Sequence, residues 1–98
     1  MKKASHSPST CVAFATNVLG DKWTPRLLFA LGEKNLGFCE LQSQAGGVNP
    51  RTLTQRLVAL EEMEILTKTE TGYALTPKGH DLLPILRQMA TWGGKYPA

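Results

Sequence analysis

A polar run in the middle of the chain carries side chains that could read the edges of DNA bases. Its members are Arg51, Thr52, Gln55 and Arg56. An arginine guanidinium donates two hydrogen bonds to a guanine edge, and a glutamine amide pairs in a similar way with an adenine edge. If the run occupies the first turns of a helix, these groups can enter a major groove together. The alternative is an ordinary solvated helix face, on which arginine and glutamine are common.

The chain has two cysteines, Cys11 and Cys39, which are its candidates for thiol chemistry. Cys11 stands at the predicted start of a helix, where unpaired backbone amides favour a thiolate. This position predicts a redox-sensing thiol, and the alternative is a small buried apolar residue. Cys39 lies within a predicted helix and is expected to be structural. Two cysteines are too few for the disulfide framework of a secreted domain, so we expect a cytoplasmic protein.

The residue pattern gives no support for catalysis or metal binding. The histidines and cysteines of the chain are His6, Cys11, Cys39 and His80. They do not form the two closely spaced pairs that are common in zinc sites. No nucleophile with a neighbouring base and no phosphate-binding loop is recognisable. We therefore predict that the protein is not an enzyme and needs no metal or cofactor.

Length and composition limit the architecture to one small domain. The chain has 98 residues, of which 42% are hydrophobic and 19% charged, with a formal net charge of +3. It is too short for a large enzyme fold, and it lacks the ~18 to 20 consecutive apolar residues of a membrane helix. The small positive surplus is compatible with nucleic-acid binding without demonstrating it. We predict a flexible arm over residues 1–9 and a soluble domain over residues 10–98.

Capping residues and glycines predict the helices of the first half. Ser9 or Thr10 should cap a first helix, and Gly20 should end it in a positive-φ conformation. Thr24, followed by proline, should cap a second helix. Residues 33–36 then form a polar link to a third helix.

The same signals delimit the helix that carries the polar run. The third helix should stop at Gly46 and Gly47, and Asn49 followed by proline should cap the fourth helix. Apolar residues at helical spacing predict its buried face, and they are Leu53, Leu57 and Leu60. The polar run lies off this face, which is the arrangement that groove recognition requires.

The last third of the chain predicts a hairpin followed by a helix. Residues 66–69 and 73–75 alternate apolar and polar side chains across a short turn, which is typical of two paired strands. Lys68, beside this hairpin, is a candidate phosphate contact. Thr76 should cap the last helix, and Pro84 should bend it or mark a joint within it. The predicted fold is mainly α with a small β-hairpin, a winged helix-turn-helix domain.

Apolar residues of the first and last helices exceed what one small core can absorb. The predicted dimer contacts are Val12, Leu82, Ile85, Leu86, Met89 and Trp92. One stripe of the last helix can face its own domain while the neighbouring stripe faces a second copy. The sequence therefore predicts a homodimer through the first and last helices. The alternative is that all of these residues pack inside one subunit.

Several uncommon residues in fixed order resemble one family of regulators. The matching segments are Cys11, Leu19-Gly20-Asp21-Lys22-Trp23-Thr24, Phe38, Glu40-Leu41, Asn49 to Leu57, Leu60-Glu61, Tyr73 to Gly79, Leu83-Pro84 and Trp92-Gly93. Together they closely resemble the HxlR-type branch of the MarR-like transcriptional regulators. The resemblance implies a dimeric winged-helix protein that binds double-stranded DNA at a near-palindromic operator. It also implies that residues 51–56 are the recognition surface and that oxidants, electrophiles or small molecules are candidate effectors.

Three departures from the family pattern keep a second function open. Relatives usually carry an arginine where this chain has Gly37, and a proline where it has Val12. The turn over residues 70–72 is also shorter than the family's usual wing. The alternative function is therefore a winged-helix module for protein interaction that has lost DNA binding. Steep salt dependence would distinguish DNA binding from an apolar protein interface.

Overall fold

The computed structural model describes residues 7–98 as a helical domain with one small hairpin. Its elements are α1 (Pro8–Leu19), α2 (Thr24–Leu31), α3 (Phe38–Gln44), α4 (Pro50–Glu62), β1 (Leu66–Lys68), β2 (Tyr73–Leu75), α5 (Pro77–His80) and α6 (Leu83–Lys95). The two strands pair antiparallel, with Leu66 opposite Leu75 and Lys68 opposite Tyr73. The predicted class, mainly α with a small β-hairpin, is confirmed.

One leucine-rich core joins α2, α3, α4, the hairpin and the start of α6. Its contributors from α2 to α4 include Leu27, Leu28, Leu41, Leu53, Leu57 and Leu60, which are at most 2% exposed. The predicted buried stripe of α4 is therefore confirmed. Burial of these side chains fixes how α4 is rotated, because turning the helix would expose leucine to water.

The first helix begins earlier than the sequence predicts. Ser7, and not Ser9 or Thr10, caps it by accepting a hydrogen bond from the Thr10 amide at 3.2 Å. Pro8 is the first helical residue, a position that proline favours because it has no amide to leave unpaired. The predicted arm thus loses residues 8 and 9 to α1, and its residues 1–6 lie outside the part that the structure describes.

The link between α1 and α2 also differs from the prediction. Gly20 has φ −83°, so it does not end α1 through a positive φ. A Cβ at Gly20 would instead collide with the Thr16 carbonyl. Thr24 is the first residue of α2, and the Asp21 carboxylate caps that helix by accepting from the amides of Trp23 and Thr24, both at 2.8 Å. Asp21 replaces Thr24 as the cap because its side chain spans the turn before the helix.

The turn before α4 follows the predicted pattern. Gly46 and Gly47 have φ values of 100° and 81°, a region that side chains disfavour. Asn49 then caps α4 by accepting from the amides of Arg51 and Thr52, at 2.8 and 3.4 Å. The first residue of α4 is therefore fixed by the side chain of the residue directly before it.

The predicted polar link after α2 contains a buried residue that supports the hairpin. Leu36 is 1% exposed and pairs with Tyr73 in an isolated antiparallel bridge. A Cβ at Gly72 would collide with the Leu36 carbonyl, so glycine permits this close approach. The hairpin is thus joined on one side to the segment that leads into α3.

The last predicted helix is two helices with a joint. Thr76 caps α5 by accepting from the Gly79 amide at 3.1 Å, and α6 follows with Pro84 in its first turn. The joint that Pro84 predicts is confirmed. Within residues 7–98, none of the helices is both long enough and apolar enough to span a bilayer.

Candidate nucleic-acid interface

The N-terminal half of α4 presents polar side chains to solvent above a buried leucine face. Arg51 and Gln55 are exposed, and Thr52 beside them is half-buried. Because the Asn49 cap and the leucine stripe hold the helix, the direction of these side chains is set by the core. Such a helix can enter a major groove with its first turns, where arginine and glutamine reach base edges.

Arg56, predicted as a fourth base contact, takes a different partner in the structure. Its Nη1 lies 3.3 Å from Asp21 Oδ2, and both side chains are 33% exposed. In this structure the guanidinium of Arg56 is therefore engaged by Asp21, which precedes α2, and its contact with a base stays a prediction. The ion pair therefore joins α4 to the segment before α2.

The Asp21 carboxylate joins the cap of α2 to this ion pair. Burial alone would raise its pKa, but hydrogen bonds from the Thr24 side chain and from the backbone amides of Thr24 and Trp23 act against that effect. With the positive charge of Arg56 added, the pKa of Asp21 lies below its ordinary value. The carboxylate is therefore ionised at neutral pH and serves both partners.

A cation–aromatic cluster at the start of α2 was missed by the sequence interpretation. Lys22 Nζ lies 4.9 Å from the centroid of the Trp23 ring, and Arg26 Cζ lies 5.4 Å from it. Arg26 also donates to the Ala45 carbonyl at 3.4 Å. The signal in the sequence was a tryptophan with cations one position before and three positions after it. In the structure Trp23 is half-buried and packs against the core.

The hairpin carries one predicted phosphate contact. Lys68 is exposed at the end of β1, opposite Tyr73. The Thr69 amide donates to the Gly72 carbonyl at 2.8 Å, which closes a short turn beyond the strands. Lys68 is therefore placed at the tip of a hairpin as short as the sequence predicts.

Both cysteines are exposed, which contradicts the structural reading of Cys39 and the buried alternative for Cys11. Cys11 is also not at the helix start. Its amide donates to the Ser7 carbonyl at 3.0 Å, within the turn that begins α1. Exposure favours reactivity of the Cys11 thiol.

The predicted dimer residues divide into an exposed and a buried set. Those at least 47% exposed are Val12, Ile85, Met89 and Trp92. Leu86, however, is 3% exposed, and Leu82 packs against the core of its own chain. Leu86 is therefore corrected to the side of α6 that faces α2 of its own chain, whereas Leu82, just before α6, is partly buried and stays a predicted dimer contact.

Comparison with known proteins places this arrangement among regulators. The sequence model described as HxlR-like helix-turn-helix matches residues 18–98. The HTH-type transcriptional regulator BH0655 of Halalkalibacterium halodurans is 30% identical over 101 aligned residues, covering 95% of this chain and 89% of that protein.

Three solved structures share the fold. The redox regulator HypR in its reduced form has a TM-score of 0.80 and 29% identity, covering 87% of this chain and 91% of that one. The quinone-bound YodB of Bacillus subtilis has a TM-score of 0.78 and 25% identity, covering 89% and 99%. A MarR-family protein of Porphyromonas gingivalis, with a TM-score of 0.83 over 96% of this chain and 99% of its own, shares the fold at 22% identity. The winged helix-turn-helix fold is thus confirmed.

Proposed function

Since the chain belongs to the HxlR-like helix-turn-helix family of transcriptional regulators, we propose that it binds a DNA operator through α4 in the cytoplasm. The observation that carries this proposal is the exposed pair Arg51 and Gln55 on a helix whose rotation is fixed by buried leucines. Thr52 lies beside them, and Lys68 on the hairpin adds a phosphate contact. Each good bidentate base contact contributes on the order of 1 to 3 kcal/mol of discrimination.

The operator should match a two-fold dimer. Exposed apolar side chains on α1 and α6 supply a surface for a second copy, including Val12, Met89 and Trp92. Two copies of α4 would then enter successive major grooves about 34 Å apart, or a multiple of that spacing. The half-sites of such an operator form a near-palindrome.

The input to this regulator is proposed to be covalent modification of Cys11. The thiol is exposed on α1, the helix assigned to the dimer surface. YodB, whose structure was solved with a bound quinone, and the redox regulator HypR have the same fold. An adduct on α1 would shift one subunit against the other and change the spacing of the two recognition helices.

A binding assay with two duplexes tests the proposal. Fluorescence anisotropy compares DNA from upstream of the protein's own gene with a random duplex of equal length at moderate salt. Arg51→Ala and Gln55→Ala should reduce the preference for the upstream duplex, and Lys68→Ala should weaken both duplexes alike. An absence of any preference in the wild type would contradict the proposal and favour a module for protein interaction.

The same assay after treatment with a quinone tests the input. Wild type should lose operator affinity, and Cys11→Ser should keep it. Equal loss in both proteins, or loss in neither, would leave Cys11 without a signalling role.

A further inference from the structure

Two cations share one aromatic ring at the start of α2. Lys22 and Arg26 are exposed, and each lies within 5.4 Å of the centroid of the Trp23 ring. The ring restrains both side chains, because its π face attracts a positive charge. Apart from the bond of Arg26 Nη1 to the Ala45 carbonyl, their N–H groups can still donate to another partner. The ring thus holds two cations in a restricted region of the surface.

The charge of this pair is not balanced by the neighbouring carboxylate. Asp21 is engaged by Arg56 and by the amides of Trp23 and Thr24 at the start of α2. Within residues 7–98, neither Lys22 nor Arg26 has a carboxylate partner within ion-pair distance. The two cations are therefore complementary to an anion from outside the chain.

The pair is tied to the turn that precedes α4. Arg26 donates to the Ala45 carbonyl, and its Nη1 lies 3.1 Å from where a Cβ on Gly46 would be. Gly46 comes three residues before Asn49, a span of at most about 11 Å of extended chain. The Asp21–Arg56 ion pair makes a second tie, to the middle of α4.

The chain from Gly46 to Asn49 is no longer than the groove that α4 would enter is wide. The major groove of B-form DNA is about 12 Å wide and is bordered by phosphates. A guanidinium held beside Gly46, three residues before the cap of a groove-bound helix, can therefore reach the bordering strand.

We propose that Lys22 and Arg26 bind phosphate oxygens on the DNA strand that borders the groove occupied by α4. The inference rests on the proposed function and adds to it a contact that positions the helix without reading sequence. Substituting Arg26 would also remove its hydrogen bond to the Ala45 carbonyl. Lys22 is therefore the better residue for a test in which only the charge is changed.

The test is the salt dependence of DNA binding in Lys22→Gln. Affinity for the upstream duplex and for a random duplex is measured over a range of salt concentrations. Removing one phosphate contact from each of two subunits should lower the slope of log affinity against log salt by about 1.8. Both duplexes should weaken by the same factor, and Arg26→Gln should act in the same direction.

Lys95→Gln is the matched control. It removes the same charge from a lysine that also lies over an aromatic ring, 5.6 Å from Tyr96, but at the end of α6. Its salt slope should equal that of the wild type. An equal decrease in Lys95→Gln, or an unchanged slope in Lys22→Gln while the wild type binds its upstream DNA, would overturn this inference and leave the proposed function standing. A wild type that binds neither duplex would overturn both.

Discussion

The α2–α4 region and the pair formed by α1 and α6 use their apolar residues in opposite ways. In α2 and α4 the leucines are buried, as Leu27, Leu28 and Leu53 show with no exposed surface. In α1 no residue is buried, and Val12 is 65% exposed. In α6 burial is restricted to Leu83 and Leu86 near its start.

The difference separates two parts of the chain. The apolar side chains of α2, α3 and α4 are mostly buried within the single chain, and we call this part the closed region. Those of α1 and α6 remain mostly exposed, and we call this part the open surface.

The helix-turn-helix region buries its own leucine core and caps its own helices, and its exposed groups include Arg51 and Gln55 on α4 and Lys22 and Arg26 at the start of α2. The surface of α1 and α6 exposes valine, isoleucine, methionine and tryptophan, and an apolar surface of this kind is typical of an interface. The groove between α2 and α6, with a volume of about 250 Å³ and lined in part by Phe29 and Met89, belongs to this open surface.

Leu57→Ala should have the largest effect, because it removes a side chain that is 2% exposed at the centre of the closed region. The loss of buried surface and the cavity left behind should lower the free energy of unfolding by about 3 kcal/mol. Urea unfolding monitored by circular dichroism measures it. Val12→Ala is the comparison, and it should change stability only at protein concentrations where a dimer forms.

An equal loss of stability in Val12→Ala and Leu57→Ala at low protein concentration would contradict the comparison. It would mean that α1 is part of the core of a single subunit.

Met89→Glu should have the next largest effect, on assembly and not on the fold. Met89 is 47% exposed on α6, and a carboxylate there would have to be buried when two copies meet. Burying an unpaired charge costs several kcal/mol, so dimer affinity should fall by about 100-fold or more. Sedimentation velocity over a range of concentrations measures this change.

Thr91→Glu is the control for Met89→Glu, because it adds the same charge at an exposed position of α6 that is not three or four residues from any predicted dimer contact. It should leave the dimer intact. If Met89→Glu sediments as the wild type does, the interface lies elsewhere on the protein.

Local sequence signals predicted the elements better than the contacts between them. The glycine turn and the Asn49 cap could be predicted because each depends on residues within a few positions. The pairing of Arg56 with Asp21 spans 35 positions, and that of Arg26 with Ala45 spans 19, so no local pattern indicates them. Both contacts follow from how α2, α3 and α4 pack.

The error at Leu86 has a related origin. Ile85 and Leu86 are neighbours of similar hydrophobicity, and periodicity alone cannot say which one faces the core. The start of α6, set by the α5 joint and by Pro84, decides its rotation and turns Leu86 inward. At the start of α2, the sequence Thr24-Pro25 has the pattern of a cap followed by proline. The cap is instead the Asp21 carboxylate, three residues before Thr24, which accepts from the Thr24 amide and hydroxyl.

The smallest effect is expected from Asp21→Asn, which tests the ion pair between Asp21 and Arg56 that joins the start of α2 to α4. The one oxygen of asparagine can still accept from the amides of Trp23 and Thr24. The change removes the charge interaction with Arg56 and the bond that the Thr24 hydroxyl donates to Oδ2. Since both side chains are 33% exposed, the loss in unfolding free energy at neutral pH should stay below about 1 kcal/mol. Thermal and urea unfolding measure it against the wild type.

The pH dependence of this loss identifies its cause. The pKa of Asp21 in the folded state lies below its ordinary value of 3.8, so the unfolded state binds more protons when the pH falls. The stabilising contribution is complete above the unfolded pKa and is lost as the pH falls through the lower folded pKa. The stability difference between wild type and Asp21→Asn should therefore shrink in acid below pH 3.8. A difference that stays constant down to acid pH would show that the variant acts through altered packing and that the charge of Asp21 does not hold α4 against α2.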